Sequence, residues 1–309
     1  MNTLDSETFA RWFDLSTAAL PAFAVEKVAA ADLRYRRLSP AERDAVVVRI
    51  LKRLAQGPQS VLDEKRRALW ADVWSDQHAK AASGAFSTQA LEPGFVSGDA
   101  VVRIAGDFAL AASPRLELDV YAVVRRILFH QWAGKASAAF EFGSGSAFNL
   151  EDLALMYPAL PITGLDWAPA AVALVDDMAR QRGFKMRGRA FDFFAPDDSL
   201  EMPRDAAVFT FCALEQIGPK FEPFVDFLLR KRPAVCVHLE PILEFYRPEQ
   251  SLVDHLAVAF HSARNYLTGF QTHLKGLEST GRIRIFDERR LGFGSLFHEG
   301  YSVIVWQPV

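Results

Sequence analysis

The feature that most restricts this chain is a change of texture near Ala138. From there, short apolar runs at 138–142, 162–165, 189–193, 206–211 and 234–239 alternate with amphipathic stretches such as 169–182 and 220–230. Short apolar runs bounded by helical segments are strands covered on both faces, and the helices are the crossovers that a parallel sheet needs. The predicted class is therefore α/β, built from right-handed βαβ units. A long helix over about 252–277 follows the fifth strand, and two last strands, 282–287 and 301–307, close the chain.

The residues before this change read differently. Ser39-Pro40-Ala41-Glu42 is a capping box with proline at the first helical position, and Val47, Ile50, Leu51 and Leu54 then form one apolar face up to Gly57-Pro58. A second helix spans about 62–74, with Leu62, Leu69, Trp70 and Val73 near one side. Residues 80–114 are rich in Ala, Ser, Gly and Pro and read as connection, with one short strand at 101–104. At 115–132 the spacing of Leu118, Tyr121, Val124 and Leu128 is helical again. The expected organisation is a helical segment, 1–114, followed by an α/β domain, 115–309, and the 309 residues suit two units of ~150.

Composition excludes several classes. With 50% hydrophobic residues the chain is no disordered segment, and no run of ~18 apolar residues offers a membrane span. The stretch 18–25 is broken by Pro21 and follows Asp5, Glu7 and Asp14, unlike a signal peptide. A net charge of −3 gives no basic stripe for nucleic acid, and the clusters 34–37, 65–67 and 230–232 read as solvated faces. Two cysteines, Cys212 and Cys236, make no disulfide scaffold, and a cytoplasmic location is expected.

The first strand of the second half runs into Glu141-Phe142-Gly143-Ser144-Gly145-Ser146-Ala147. In an open parallel sheet, ligands bind beyond the carboxyl ends of the strands where strand order reverses. Two glycines there permit a tight turn and a close approach of ligand to backbone. The second strand ends in Leu165-Asp166-Trp167, where a carboxylate can accept hydrogen bonds from both hydroxyls of a ribose. The third ends in Phe191-Asp192-Phe193, a carboxylate for an exocyclic amine with aromatic faces beside it, and the fourth in Phe211-Cys212-Ala213-Leu214-Glu215-Gln216.

In these motifs the sequence resembles the class I S-adenosylmethionine-dependent methyltransferases. Their E/D-x-G-x-G turn is matched by Glu141, Gly143 and Gly145, with Ala147 in place of a third glycine. Their acids after strands two and three are matched by Asp166 and Asp192, and 213–217 is similar to a stretch that many members carry after strand four. The resemblance covers about 115–309. It implies a Rossmann-like, seven-stranded, mostly parallel sheet with an antiparallel last strand beside the fifth. It also implies S-adenosylmethionine as cofactor, held by Glu141, Gly143, Ser144, Gly145, Asp166, Trp167, Asp192, Phe193 and Cys212. A weaker resemblance, carried by 213–216, Glu240-Pro241, Tyr301 and Trp306, is to bacterial sugar or polysaccharide methyltransferases, which implies a small polar or glycan-like acceptor methylated at oxygen. A nicotinamide-binding domain, the rival for this turn, needs glycine where Phe148 stands and has no use for Glu141 beside a pyrophosphate.

Methyl transfer to an alcohol benefits from a general base, and the strand ends supply candidates. Glu240 is the first choice, with His238 two residues earlier on the same side of its strand; His261 and His298 are alternatives. Glu215, Tyr246, Arg264 and Arg290 are the expected acceptor-binding residues. Segment 244–247 mixes charge with rings; His261, Arg264, Asn265 and Thr268 share a helical face; and Arg290 suits a carboxylate or phosphate. No histidine or cysteine spacing fits zinc, and no GxSxG or P-loop occurs. Two other readings stand beside this one, an N-methyltransferase of an amine or peptide and a non-catalytic partner subunit. The apolar, Trp-bearing N-terminal helices are what such a subunit, or a homodimer, would use for assembly.

Overall fold

The computed structural model of the protein describes residues 1–94 and 100–309, apart from the side chain of Glu64. The first half comprises β1 (Asn2–Thr3), α1 (Ser6–Trp12), α2 (Ala22–Ala30), β2 (Arg34–Arg37), α3 (Pro40–Leu54), α4 (Glu64–Ser83), α5 (Thr88–Leu91), β3 (Val101–Ile104), β4 (Asp107–Ala111) and α6 (Leu116–Trp132). The second half runs β5 (Ala139–Phe142), α7 (Phe148–Met156), β6 (Ile162–Asp166), α8 (Pro169–Arg182), β7 (Met186–Ala190), β8 (Ala207–Phe211), α9 (Glu222–Lys231) and β9 (Val235–Glu240). It ends with α10 (Leu252–Arg264), α11 (Phe270–Ser279), β10 (Ile283–Arg290), β11 (Phe293–Gly294) and β12 (Ser302–Pro308).

The large sheet has the order β10-β12-β9-β8-β5-β6-β7. β5 to β9 are mutually parallel, and β12 runs antiparallel to both β9 and β10. This is the expected Rossmann-like sheet. β5 lies between β6 and β8, so the chain's direction of winding reverses there and a crevice opens above its carboxyl end. Every residue of β5, β6, β8 and β9 is buried, as strands covered on both faces must be. On one face Phe129 of α6 packs edge-on against Phe209, with centroids 5.1 Å apart. On the other, Phe142 sits 4.6 Å from Phe191 and 4.9 Å from Phe224 of α9. Each such ring contributes about 1.5–3 kcal/mol of burial, which fixes the end of β5 where the glycine turn begins.

Several expectations are corrected. The first half is not helical throughout: β1, β2, β4, β3 and β11 form a second, antiparallel sheet in that order. Arg34–Arg37 forms strand β2 and, as expected of a solvated cluster, keeps its side chains outside, Arg36 paired with Glu42 and Arg37 donating to the Ile104 carbonyl. β11 belongs to the chain's second half, so the two halves share this sheet and the boundary near residue 114 is not a clean break. The connection read over 80–114 includes β3 and β4, while its residues 95–99 lie outside the described residues.

The long helix over 252–277 is two helices. Asn265 takes a left-handed conformation (φ 53°) at the end of α10, and Gly269 (φ 84°) starts α11. Asn265 and Thr268 are thus off the helical face assigned to them. The capping box at Ser39 and Glu42 forms as predicted, with Val46 and Ile50 facing inward and Leu51 exposed. Among the described residues, no helix is long and apolar enough to cross a membrane.

Candidate active site

The glycine turn is tied down before it reaches the crevice. The amides of Gly143 and Ser144 both donate to the Leu165 carbonyl of β6, at 2.7 and 3.0 Å. Gly143 has φ 77° and Gly145 φ 48°. A Cβ on Gly143 would lie 2.4 Å from the Ala213 Cβ, and one on Gly145 would lie 2.6 Å from the Trp74 ring. Ala147, at the position of the absent third glycine, is itself left-handed (φ 58°) at the start of α7. An L-residue pays roughly 1–2 kcal/mol for that conformation, so the turn keeps its glycine-like shape at a cost in strain.

Around the turn stand the predicted acids. Asp166 accepts from the Gly145 amide and the Ala168 amide, both at 3.0 Å, and burial raises its carboxyl above the ordinary range. Each carboxylate oxygen has two lone pairs, so one on each remains after those bonds. Asp192 accepts from the Phe194 amide at 2.9 Å and meets the Arg67 guanidinium at 3.3 Å. Arg67 also lies over the Trp167 ring, 4.6 Å from its centroid. Asp166, Trp167, Asp192, Phe193, Gly143, Ser144, Gly145 and Cys212 all line one cleft of ≈ 660 Å³.

Glu141 does not line it. Its Oε1 accepts from Asn149 Nδ2 at 2.6 Å, and its other oxygen has no partner among the described residues. Burial pushes the carboxyl up to about 8. Polar groups that do reach the cleft beside the turn include Ser146, Asn149, held by Glu141 and by the Tyr121 hydroxyl at 2.6 Å, and the buried Ser144 hydroxyl, which has no partner among the described residues. Glu141 thus acts beneath the turn, through Asn149.

The roof of the cleft is α4. Its Trp70 and Trp74 rings stack at 5.3 Å, and Trp70 Nε1 donates to Gln216 Oε1 at 3.1 Å. Arg66 and Arg67 line the cleft from the same helix. The loop between β11 and β12 supplies Ser295, Leu296, Phe297 and His298, because a parallel β10 followed by an antiparallel β12 brings their connection back over the strand tips. Nothing local in the sequence says that α4 faces the crevice. The four-residue spacing of Trp70 and Trp74 beside Arg66 is the signal that was available.

The candidate acids and bases separate sharply. Glu215 lines the cleft; burial raises its carboxyl to about 7, against the opposing pull of Arg264 and Arg66. His298 also lines it, with Nδ1 3.1 Å from His261 Nε2. Burial lowers His261 to about 3 and, with the nearby His261, Arg103 and Arg264, depresses His298, so the pair is neutral. His261 stands behind His298, 1% exposed.

Glu240 and His238 do not reach the mouth. Glu240, fully buried, accepts from the amides of Ala213 (3.0 Å), Leu214 (3.1 Å) and Glu215 (3.4 Å) and so caps the short 3-10 turn Leu214–Ile217. His238 bonds to Thr210 Oγ1 at 2.8 Å and accepts from Trp306 Nε1 at 2.9 Å, and burial lowers it to about 3. It is a core histidine.

Of the acceptor-binding set, only Glu215 lines the cleft. Tyr246 is buried, its hydroxyl donating to the Glu299 carbonyl and accepting from the Glu299 amide. Arg290 is locked by Asp254 at 2.6 Å and Glu299 at 2.5 Å, since β10 extends to include it. Arg264 lies behind the cleft wall, over the Tyr266 ring at 5.6 Å. Cys212 keeps a neutral thiol, pushed up by burial and donating to the Gly300 carbonyl, and both cysteines are free. No metal-binding cluster occurs among the described residues.

No family model matches the chain, and no curated protein matches it. Among solved structures it is similar to human N-acetylserotonin methyltransferase in complex with SAM, at 16% identity and TM-score 0.44 over 63% of this chain and 54% of that one. It is similar to an O-methyltransferase of neocarzinostatin biosynthesis at 11% identity and TM-score 0.43, over 64% and 59% of the two chains. A geranyl diphosphate C-methyltransferase from Streptomyces coelicolor A3(2) gives 12% identity and TM-score 0.42, over 64% and 85%. The chain spans about half the length of the first of these and under two thirds of the second. The likeness is one of fold and goes no further.

Proposed function

We propose that the protein is an S-adenosylmethionine-dependent methyltransferase that methylates a small polar or glycan-like acceptor at oxygen. One observation carries this: a single cleft at the switch point of the sheet gathers the Gly143–Gly145 turn, the Asp166 and Asp192 carboxylates, and a third carboxyl, Glu215, poised near neutrality.

The cleft's residues fit that cofactor. Gly145 leaves its face of the turn free of a Cβ, Asp166 keeps lone pairs for ribose hydroxyls, and Asp192 with Trp167 and Phe193 suits a purine and its amine. Ser144 and Asn149 offer polar atoms for the amino-acid end. Bound there, S-adenosylmethionine supplies a methyl group made electrophilic by its sulfonium. Arg67 yields Asp192 and the Trp167 face when the purine enters.

Glu215 takes the proton of the acceptor hydroxyl as the oxygen gains its methyl group, and a carboxyl that titrates near 7 is matched to that task. Neutral His298, steadied by His261, orients the same oxygen. The first half of the chain, 1–114, serves as a cover that sets acceptor choice: α4 closes the cleft from above, and excluding water strengthens the orientation on which methyl transfer depends, a contribution on the order of 7–11 kcal/mol.

Calorimetry with S-adenosylhomocysteine tests this. One molecule is expected to bind per chain, and Asp192→Ala is expected to weaken binding by about tenfold, the worth of a charge-assisted hydrogen bond. Absence of binding, or binding of NAD in its place, overturns the reading.

A further inference from the structure

Resting on the methyltransferase reading, we infer that the acceptor is an aromatic acid, its ring held between the aromatic walls of the cleft and its carboxylate met by Arg66 with Arg264 behind it. The first support is Arg66 itself. It lines the cleft, its Nε is buried without a hydrogen-bond partner, and no carboxylate among the described residues forms an ion pair with it. Other half-buried or buried arginines are paired, Arg125 and Arg126 with Asp152, Arg182 with Glu151, and Arg290 with Asp254 and Glu299, while the fully buried Arg103 donates to the Leu296 and Val253 carbonyls. A desolvated cation left unpaired is costly, and a planar guanidinium recovers that cost best from a bidentate oxyanion.

The second support is a like charge. Burial depresses Arg66 and the nearby Arg264 depresses it further; Arg264 donates to Gln59 Oε1 at 3.1 Å, but its own Nε is buried without a partner and it has no ion pair among the described residues. Lys220 lines the same cleft. Glu215 is the carboxyl near both guanidiniums, and even ionised it sets one negative charge against two positive ones. Asp63, Glu117, Asp166 and Asp192 also line the cleft, so the positive charge is local to the wall where Arg66 and Arg264 meet, and there it favours an acid over an amine.

The third support is the wall. Arg66 lies over Trp70 at 5.0 Å and Arg264 over Tyr266 at 5.6 Å, so each guanidinium sits on a ring whose residue lines the cleft, with Phe297 beside them. A flat ring stacks on such surfaces and carries its carboxylate to the cations. This is the role expected of Arg290, transferred to the arginines that remain unpaired.

The test compares 4-hydroxybenzoate with 4-hydroxybenzyl alcohol, which differ in the anionic group alone, by tryptophan fluorescence and calorimetry with and without S-adenosylhomocysteine. The acid is expected to bind at least about tenfold tighter, with affinity falling as salt rises. Arg66→Gln is expected to erase the preference and Arg264→Gln to reduce it, while S-adenosylhomocysteine affinity stays unchanged in both. Equal affinity for acid and alcohol, failure of the acid to bind at millimolar concentration, or a preference that survives both substitutions overturns the inference. The two readings fail separately. Loss of S-adenosylhomocysteine binding with the acid preference intact removes the methyltransferase, and binding without the preference removes the acid.

Discussion

Replacing Glu215 by Gln removes one titrating proton from the cleft while keeping an oxygen for the Gln216 amide to donate to. Burial raises the carboxyl from its ordinary 4.5 to about 7. In the unfolded chain the group ionises near 4.5, whereas the folded protein holds its proton until about pH 7. Folding is therefore progressively opposed across that interval: the stability is fully present below pH 4.5 and is lost as pH rises through 7. At about 1.36 kcal/mol per pH unit, the native protein loses up to ~3 kcal/mol relative to Glu215→Gln, less whatever contact with cleft water screens away. Urea unfolding of both proteins from pH 4.5 to 8.5 reads this directly. Glu141 and Glu240, whose carboxyls are also raised, are common to both and cancel in the difference. The variant should gain on the native protein as pH climbs to 7 and hold a constant lead beyond it. Arg66→Gln, which withdraws a cation that favours the Glu215 carboxylate, should move the window to higher pH. A difference independent of pH refutes the assignment. With an acceptor in hand, the native rate should fall tenfold per pH unit below 7, and Glu215→Gln should be slower by about 10²–10⁴ with that limb gone.

Further outcomes follow from the turn and the buried ions. Gly143→Ala places a Cβ 2.4 Å from that of Ala213 at φ 77°, so urea unfolding should show a loss of about 2–4 kcal/mol and calorimetry a weaker S-adenosylhomocysteine complex. Ala147→Gly relieves a left-handed alanine and should add ~1 kcal/mol, raising the melting temperature by about 2–4 °C; a decrease contradicts the strain argument. Arg290→Met leaves Asp254 and Glu299 buried without their cation and should cost about 3–5 kcal/mol at unchanged S-adenosylhomocysteine affinity, since the triad lies outside the cleft.

Much of the second half was legible in sequence because its signals are local. Strand runs, the Gly143–Gly145 turn, Asp166 at the end of β6 and Asp192 just past β7 are set by periods and spacings that need no partner to be read. The failures share one cause. Glu240 and His238 stand at positions that strand alternation alone makes candidates, yet Glu240 is consumed by three amides of the neighbouring turn and His238 by Thr210 and Trp306. Arg290 looked like a free cation until Asp254 and Glu299, distant in sequence, closed on it. The small sheet was missed because β1, β2 and β11 are two to four residues long, too short for a period to show, and pairing with one another and with β3 and β4 makes them strands.

By itself, then, the amino-acid order determined the α/β class, the parallel sheet and the address of the crevice, since alternating apolar period and glycine conformational freedom act within a few residues. Tertiary structure decided which charges are spent and which are free. It spent Arg290 and Glu240 in the interior, and it swung Arg66, Trp70 and Trp74 of α4 over the strand tips beside Glu215. Burial and pairing are properties of what lies across space from a side chain, and no spacing along the chain encodes them.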